Sequence, residues 1–110
     1  MIFCIKRHDT LPVLELVARD VEGFPLDLAS FTSVRFFMRK RGEDSLKVDK
    51  DGAFGVKSAG EIQYAWEAED TDTAGVFFAE FELRGASGMK ATMPQSGQIR
   101  VEIAGDLDDA

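Results

Sequence analysis

The sequence has one cysteine, one histidine, three prolines and no long apolar run, and each scarcity excludes something. Cys4, being alone, closes no intramolecular disulfide. It sits among apolar neighbours, where a single cysteine is expected to be a small buried hydrophobe. With one Cys and one His, a zinc site of Cys and His ligands has too few donors within a single chain. Nucleophilic catalysis needs a Ser or Cys beside a base that a third group orients. His8 lies between an apolar run and the Asp9-Thr10 turn with no such motif around it. It reads as a turn histidine, so no catalytic residue is assigned and no cofactor or metal is expected.

Positive charge is also short. Thirteen basic residues stand against 20 acidic ones, a formal net charge of −7. Phosphate backbones are held by clustered Lys and Arg, so no nucleic-acid partner is expected. The densest basic run, Arg39-Lys40-Arg41, falls at the end of a predicted strand and reads as a solvated strand end. No stretch approaches the ~20 apolar residues of a membrane span. The opening Met1–Arg7 places its charges after its apolar residues, unlike a secretory leader. The expectation is a protein kept in a reducing cytoplasm, or on a particle assembled there.

What the chain does have is alternation. In 110 residues that are 45% hydrophobic and include nine Phe, five runs repeat with period two. Leu14, Leu16 and Ala18 form one set; Val34, Phe36 and Met38 a second; Ile62, Tyr64 and Trp66 a third. Phe77, Ala79, Phe81 and Leu83 form the fourth, and Ile99, Val101 and Ile103 the fifth. Successive side chains of a strand point to opposite faces, so this period predicts strands. Shorter runs at 3–7, 54–57 and 89–93 predict three more. Glycine, Asp and Pro clusters punctuate the runs at the spacing of a sandwich or barrel. Nothing holds the 3.6 period for three turns, and residues 67–74 predict only a corner. The fold class is all-β, an antiparallel immunoglobulin-like β-sandwich of seven to eight strands. Residues 1–104 make one domain, and 105–110 an acidic frayed tail. The predicted core is Leu14, Leu16, Val34, Phe36, Met38, Ile62, Tyr64, Trp66, Phe77, Phe81, Ile99 and Val101.

Four features have a chemical reading to weigh. Asp49-Lys50-Asp51-Gly52 opens like a calcium loop, but Ala53 stands at the next ligand position and Gly60 where the closing Glu belongs. A hairpin with Asp51-Gly52 at its tip accounts for it better. Asp70-Thr71-Asp72-Thr73 has the oxygens for a cation, and equally the short side chains that hydrogen-bond a corner's own amides. Tyr64 and Trp66 suggest a sugar-stacking platform, but they share a face with Ile62, which favours core packing. Finally, if Phe36, Leu16 and Phe77 face the core, Val13, Val17, Phe37 and Phe78 fall on the opposite faces. Grouped apolar residues on outer faces predict a surface that another chain covers.

The order of these elements resembles a phage family. His8-Asp9-Thr10-Leu11-Pro12-Val13-Leu14 opens like the N-terminal domain of phage baseplate upper proteins. Gly23-Phe24-Pro25-Leu26-Asp27-Leu28 and Val34-Arg35-Phe36-Phe37-Met38-Arg39 follow in that family's order. So do Gly60–Trp66, Asp70-Thr71…Gly75, Phe78–Leu83 and Thr92-Met93-Pro94. The resemblance runs from Phe3 to about Ile103. It implies a phage or prophage virion component with no catalytic residues, made in the host bacterial cytoplasm and carried on the virion. The sequence stops where family members continue, which implies an adaptor, a fibre base or a decoration subunit, at the tail and baseplate or on the head. Partners are then other virion proteins, with copies arranged as a trimer or ring. Two other classes stay open: a carbohydrate-binding module recognising a host surface glycan, and an enzyme fragment or regulator.

Overall fold

The protein is seen here as a computed structural model that describes residues 1–107. In β3 (Phe31–Lys40) the residues Val34, Phe36 and Met38 are buried while their neighbours face outward, as alternation requires. The same parity holds in β7 (Gly75–Gly85), where Phe77, Ala79, Phe81 and Leu83 are buried. These two long strands pair antiparallel, with Phe36 opposite Phe81 and Val34 opposite Leu83, so two matching apolar rows merge into one inner face.

The remaining strands are β1 (Ile2–Lys6), β2 (Leu14–Val17), β4 (Leu46–Asp51), β5 (Ala53–Phe54), β6 (Glu61–Tyr64), β8 (Lys90–Met93) and β9 (Ile99–Ala104). One sheet has the order β1-β9-β7-β3-β4, with β8 also on β7; the other has the order β2-β6-β5. The expected β-sandwich is the fold. Along β7, β9 pairs with residues 75–79 and β8 with residues 81–84. These two strands therefore follow one another down the same side, interrupted by residues 94–98 opposite Glu80.

Several expectations need correction. Nine strands form among the described residues, and β1 runs parallel to β9, Ile2 opposite Arg100 through Lys6 opposite Ala104. Period two carries no strand direction, and parallel neighbours need a long connection, which here is nearly the whole chain. Cys4 is exposed, because Phe3 and Ile5 take the inner face of β1 and leave Cys4 outward. Strand β4 was not expected. It is an edge strand with one fully buried residue, Val48, so its Lys and Asp residues hide the pattern. Such charges on an edge also discourage pairing with foreign strands. The expected strand at 54–57 shortens to Ala53–Phe54, followed by a 3₁₀ turn at Lys57–Ala59.

Asp51-Gly52 is not a hairpin tip. Strand β4 belongs to one sheet and β5 to the other, so Gly52 is where the chain crosses between layers. Its N–H donates to the Val34 carbonyl, and a Cβ there would lie 2.9 Å from the Gln63 carbonyl oxygen and 3.0 Å from Val34 Cγ1. Only a residue without a side chain fits so close an approach. The segment expected as a corner does turn, as a 3₁₀ helix at Ala68–Thr71. Strand β9 ends at Ala104, and the Lys6 Nζ donates to the Gly105 carbonyl at 3.5 Å. Positions 108–110 of the expected tail lie outside the described residues.

The centre of the core is aromatic. Phe36 stacks on Tyr64 with ring centres 4.3 Å apart, meets Trp66 edge-on at 5.6 Å, and lies 5.0 Å from Phe81. Tyr64 ends β6 and Phe36 lies on β3, so the stack ties the two sheets together. Every residue of the predicted core is buried except Leu16, which is half-buried on the short edge strand β2 and packs against the core from there. Phe36→Ala should lower stability by ~3–5 kcal/mol, read as a drop in the urea midpoint. A midpoint equal to the parent's would mean that Phe36 does not hold the layers together.

Candidate functional site

Two places gather chemistry-bearing side chains, one inside and one out. The inner one is the corner between β6 and β7. Asp70 is 2% exposed, and its Oδ2 accepts from the Tyr64 hydroxyl at 2.7 Å and from the Glu67 N–H at 2.8 Å. Its Oδ1 accepts from the Lys50 Nζ at 2.9 Å. Lys50 also reaches Glu69 at 2.8 Å and Glu67 at 3.3 Å, so one ammonium sits among three carboxylates. Hydrogen bonds donated to Glu69 and then to Asp70 hold the Lys50 proton well above the usual lysine range. Burial, then the neighbouring Asp70 carboxylate, pushes the Tyr64 hydroxyl above the usual phenol range. Both groups stay protonated at neutral pH, so neither is tuned as a general base.

Thr71 completes this corner. Its buried hydroxyl donates to the Asp9 carbonyl at 3.0 Å, and its carbonyl accepts from the His8 N–H at 3.0 Å. His8 is exposed, in a turn with φ of 69°, and is held by its backbone. Asp70 thus accepts from the corner's own amide at Glu67, as short polar side chains do, while Thr71 ties the corner to the turn at Asp9. Asp72 pairs with Lys47 at 2.6 Å, which with the Thr73 hydroxyl keeps its carboxyl below the usual range. Asp49 and Asp51, the opening of the calcium-like run, both bind Arg35, at 2.8 and 2.9 Å. Among the described residues no group of three or more His, Cys, Asp or Glu is placed to hold a metal ion.

The sugar platform is ruled out by burial. Tyr64 is 2% exposed and Trp66 4%, and both rings pack on Phe36 rather than facing solvent. The Trp66 Nε1–H is buried without a hydrogen-bond partner among the described residues, a cost of about 1–3 kcal/mol that the aromatic packing offsets.

The outer place is the solvent face of the larger sheet. Phe37 and Phe78 are half-buried there and line one shallow groove with Arg39, Leu46, Glu80 and Gln98. Val17 does not join them. It lies on β2 in the smaller sheet, opposite Glu61, in a second groove with Glu15 and Gln63. Val13, half-buried, precedes the same strand. The four residues expected to form one surface are therefore divided between the two sheets, because alternation assigns a residue to an outer face without saying which sheet owns it. Arg39 and Glu80 were missed as part of the Phe37 and Phe78 surface, although their parity in the strands already placed them on the same face.

No helix among the described residues is long and apolar enough to cross a membrane. No family model matches the sequence, and no curated protein matches it. The fold is similar to that of the N-terminal domain of phage TP901-1 ORF48, with a TM-score of 0.65 and 14% identity over 94% of this chain and 85% of that one. The chain shares the fold of a phage protein's domain.

Two outcomes follow from the Asp70 corner. Asp70→Ala leaves the Tyr64 hydroxyl and the Glu67 N–H without their buried acceptor and should cost ~3–5 kcal/mol in chemical denaturation. The folded chain holds the Tyr64 proton more tightly than the unfolded chain does. That contribution is intact below pH ~10 and is lost as pH rises through the folded value. Urea midpoints of Tyr64→Phe should therefore fall less steeply than the parent's above pH ~10, and parallel curves would remove Tyr64 from the alkaline transition.

Proposed function

We propose that this chain is a non-catalytic structural subunit of a phage or phage-derived particle, a module that anchors neighbouring virion components in the tail or baseplate. The observation that carries this reading is the fold, shared with a phage protein's N-terminal domain over 94% of the chain. The order of the motifs from His8 to Pro94, which resembles the phage baseplate upper proteins, supports it independently. The distribution of polar groups supports the non-catalytic part: the one buried carboxylate among the described residues, Asp70, is engaged by Tyr64, Lys50 and a backbone amide. Its proton-holding neighbours are locked into the corner rather than converging on a cleft.

Copies repeated about a particle axis as a trimer or ring turn individually weak contacts into stable ones, so a small domain with modest apolar patches suits that setting. The patches in this proposal are Phe37 and Phe78 on one sheet and Val13 and Val17 beside the other. The experiment is mass spectrometry and immunogold labelling of particles purified on a density gradient from the producing cells. The chain should band with the particles at a fixed ratio to the major virion proteins. Its presence in the lysate but absence from the particle band would overturn the proposal. Phe37→Ser together with Phe78→Ser should reduce incorporation while leaving the circular dichroism of the purified domain unchanged.

A further inference from the structure

The outward face of the larger sheet presents two adjacent rungs of the β3/β7 ladder, Phe37 opposite Glu80 and Arg39 opposite Phe78. The four side chains stand at the corners of a rectangle, with the two Phe on one diagonal and the two charges on the other. Leu46, 49% exposed, lies beside Arg39 on β4. Other charges on this face are engaged within the chain: Arg35 with Asp49 and Asp51, Arg100 with Glu102, Arg84 with Glu82. Arg39 and Glu80 make no ion pair or side-chain hydrogen bond among the described residues.

Such a patch is complementary to itself. A two-fold axis laid along the Phe37–Phe78 diagonal sets each ring on its own counterpart. It also brings Arg39 of one copy onto Glu80 of the other, twice over. Two copies that each carry −7 repel on average, and this locally neutral patch is where their approach costs least. The groove on the smaller sheet behaves differently: Glu15 and Glu61 line it with no cation among its lining residues, so it repels its own counterpart. Joining that groove head to tail with the Phe37 face would use opposite sides of the sandwich, a heterologous contact that leaves a patch of each terminal copy uncovered unless the copies close into a ring. We infer that two copies of this chain pair face to face through Phe37, Arg39, Phe78 and Glu80, about a two-fold axis along the Phe37–Phe78 diagonal. The pair is a unit that a larger symmetric assembly repeats, and it stands or falls separately from the particle assignment.

The test is sedimentation velocity on the full chain from micromolar to millimolar concentration, with Arg39→Glu, Glu80→Arg and the double variant beside the parent. The parent should show a monomer–dimer equilibrium. Each single variant sets like charges against each other and should weaken dimerisation about tenfold or more. The double variant, with the charges exchanged, should recover it. Both substituted positions face outward, and circular dichroism verifies that each variant is folded. A parent that stays monomeric throughout, a dimer indifferent to the single variants, or a double variant that fails to recover would each overturn the pairing.

Discussion

Asp70 takes three hydrogen bonds from three different parts of the chain, and the arrangement of both sheets passes through it. Tyr64 ends β6 in the smaller sheet, Lys50 lies on β4 in the larger one, and the Glu67 amide begins the corner between them. A carboxylate with so little exposure costs several kcal/mol unless its lone pairs are satisfied. Meeting that requirement fixes where the Tyr64 ring lies, and the ring stacks at 4.3 Å on Phe36 in the opposite layer. The polar corner and the aromatic core are therefore one structural unit, joined through a single tyrosine.

From that corner the chain enters β7, the strand with the most neighbours. It pairs with β3 on one side and with β9 and then β8 on the other. Its inward residues fill the core. Its outward residues set the surface, because Phe78 and Glu80 are held beside Arg39 and Phe37 by the same register that buries Phe77 and Phe81. The outer patch is in this sense a by-product of the core: shifting the β3/β7 register by one residue would bury Glu80 and expose Phe81.

The two gathering places differ in what they leave unsatisfied. Inside, the hydrogen-bonding capacity of Asp70, Thr71 and Lys50 is spent within the chain, on other side chains and on the backbone of the corner. Outside, Arg39 is exposed and Glu80, Phe37 and Phe78 are half-buried along a shallow groove of the larger sheet. A shallow, open groove suits a broad contact with another protein better than the enclosure of a small molecule.

Much of this was legible in the residues. Period two in five runs, with Gly and Asp turns between them, dictates strands and their inward sets, since only a pleated strand alternates faces. Parity likewise settled that Phe37 and Phe78 face away from Phe36 and Phe77. What only the tertiary structure decided is which strands become neighbours and in which direction. Alternation is identical for parallel and antiparallel strands, so β1 beside β9 could not be read from it. The edge strand β4 was hidden because one buried residue makes no pattern. Gly52, turn-like in sequence, became a crossing between layers because Val34 and Gln63 close in from both sides. Val17 was separated from Phe37 for the same reason: a residue's side of its strand is a local property, whereas the sheet its strand joins depends on contacts far along the chain.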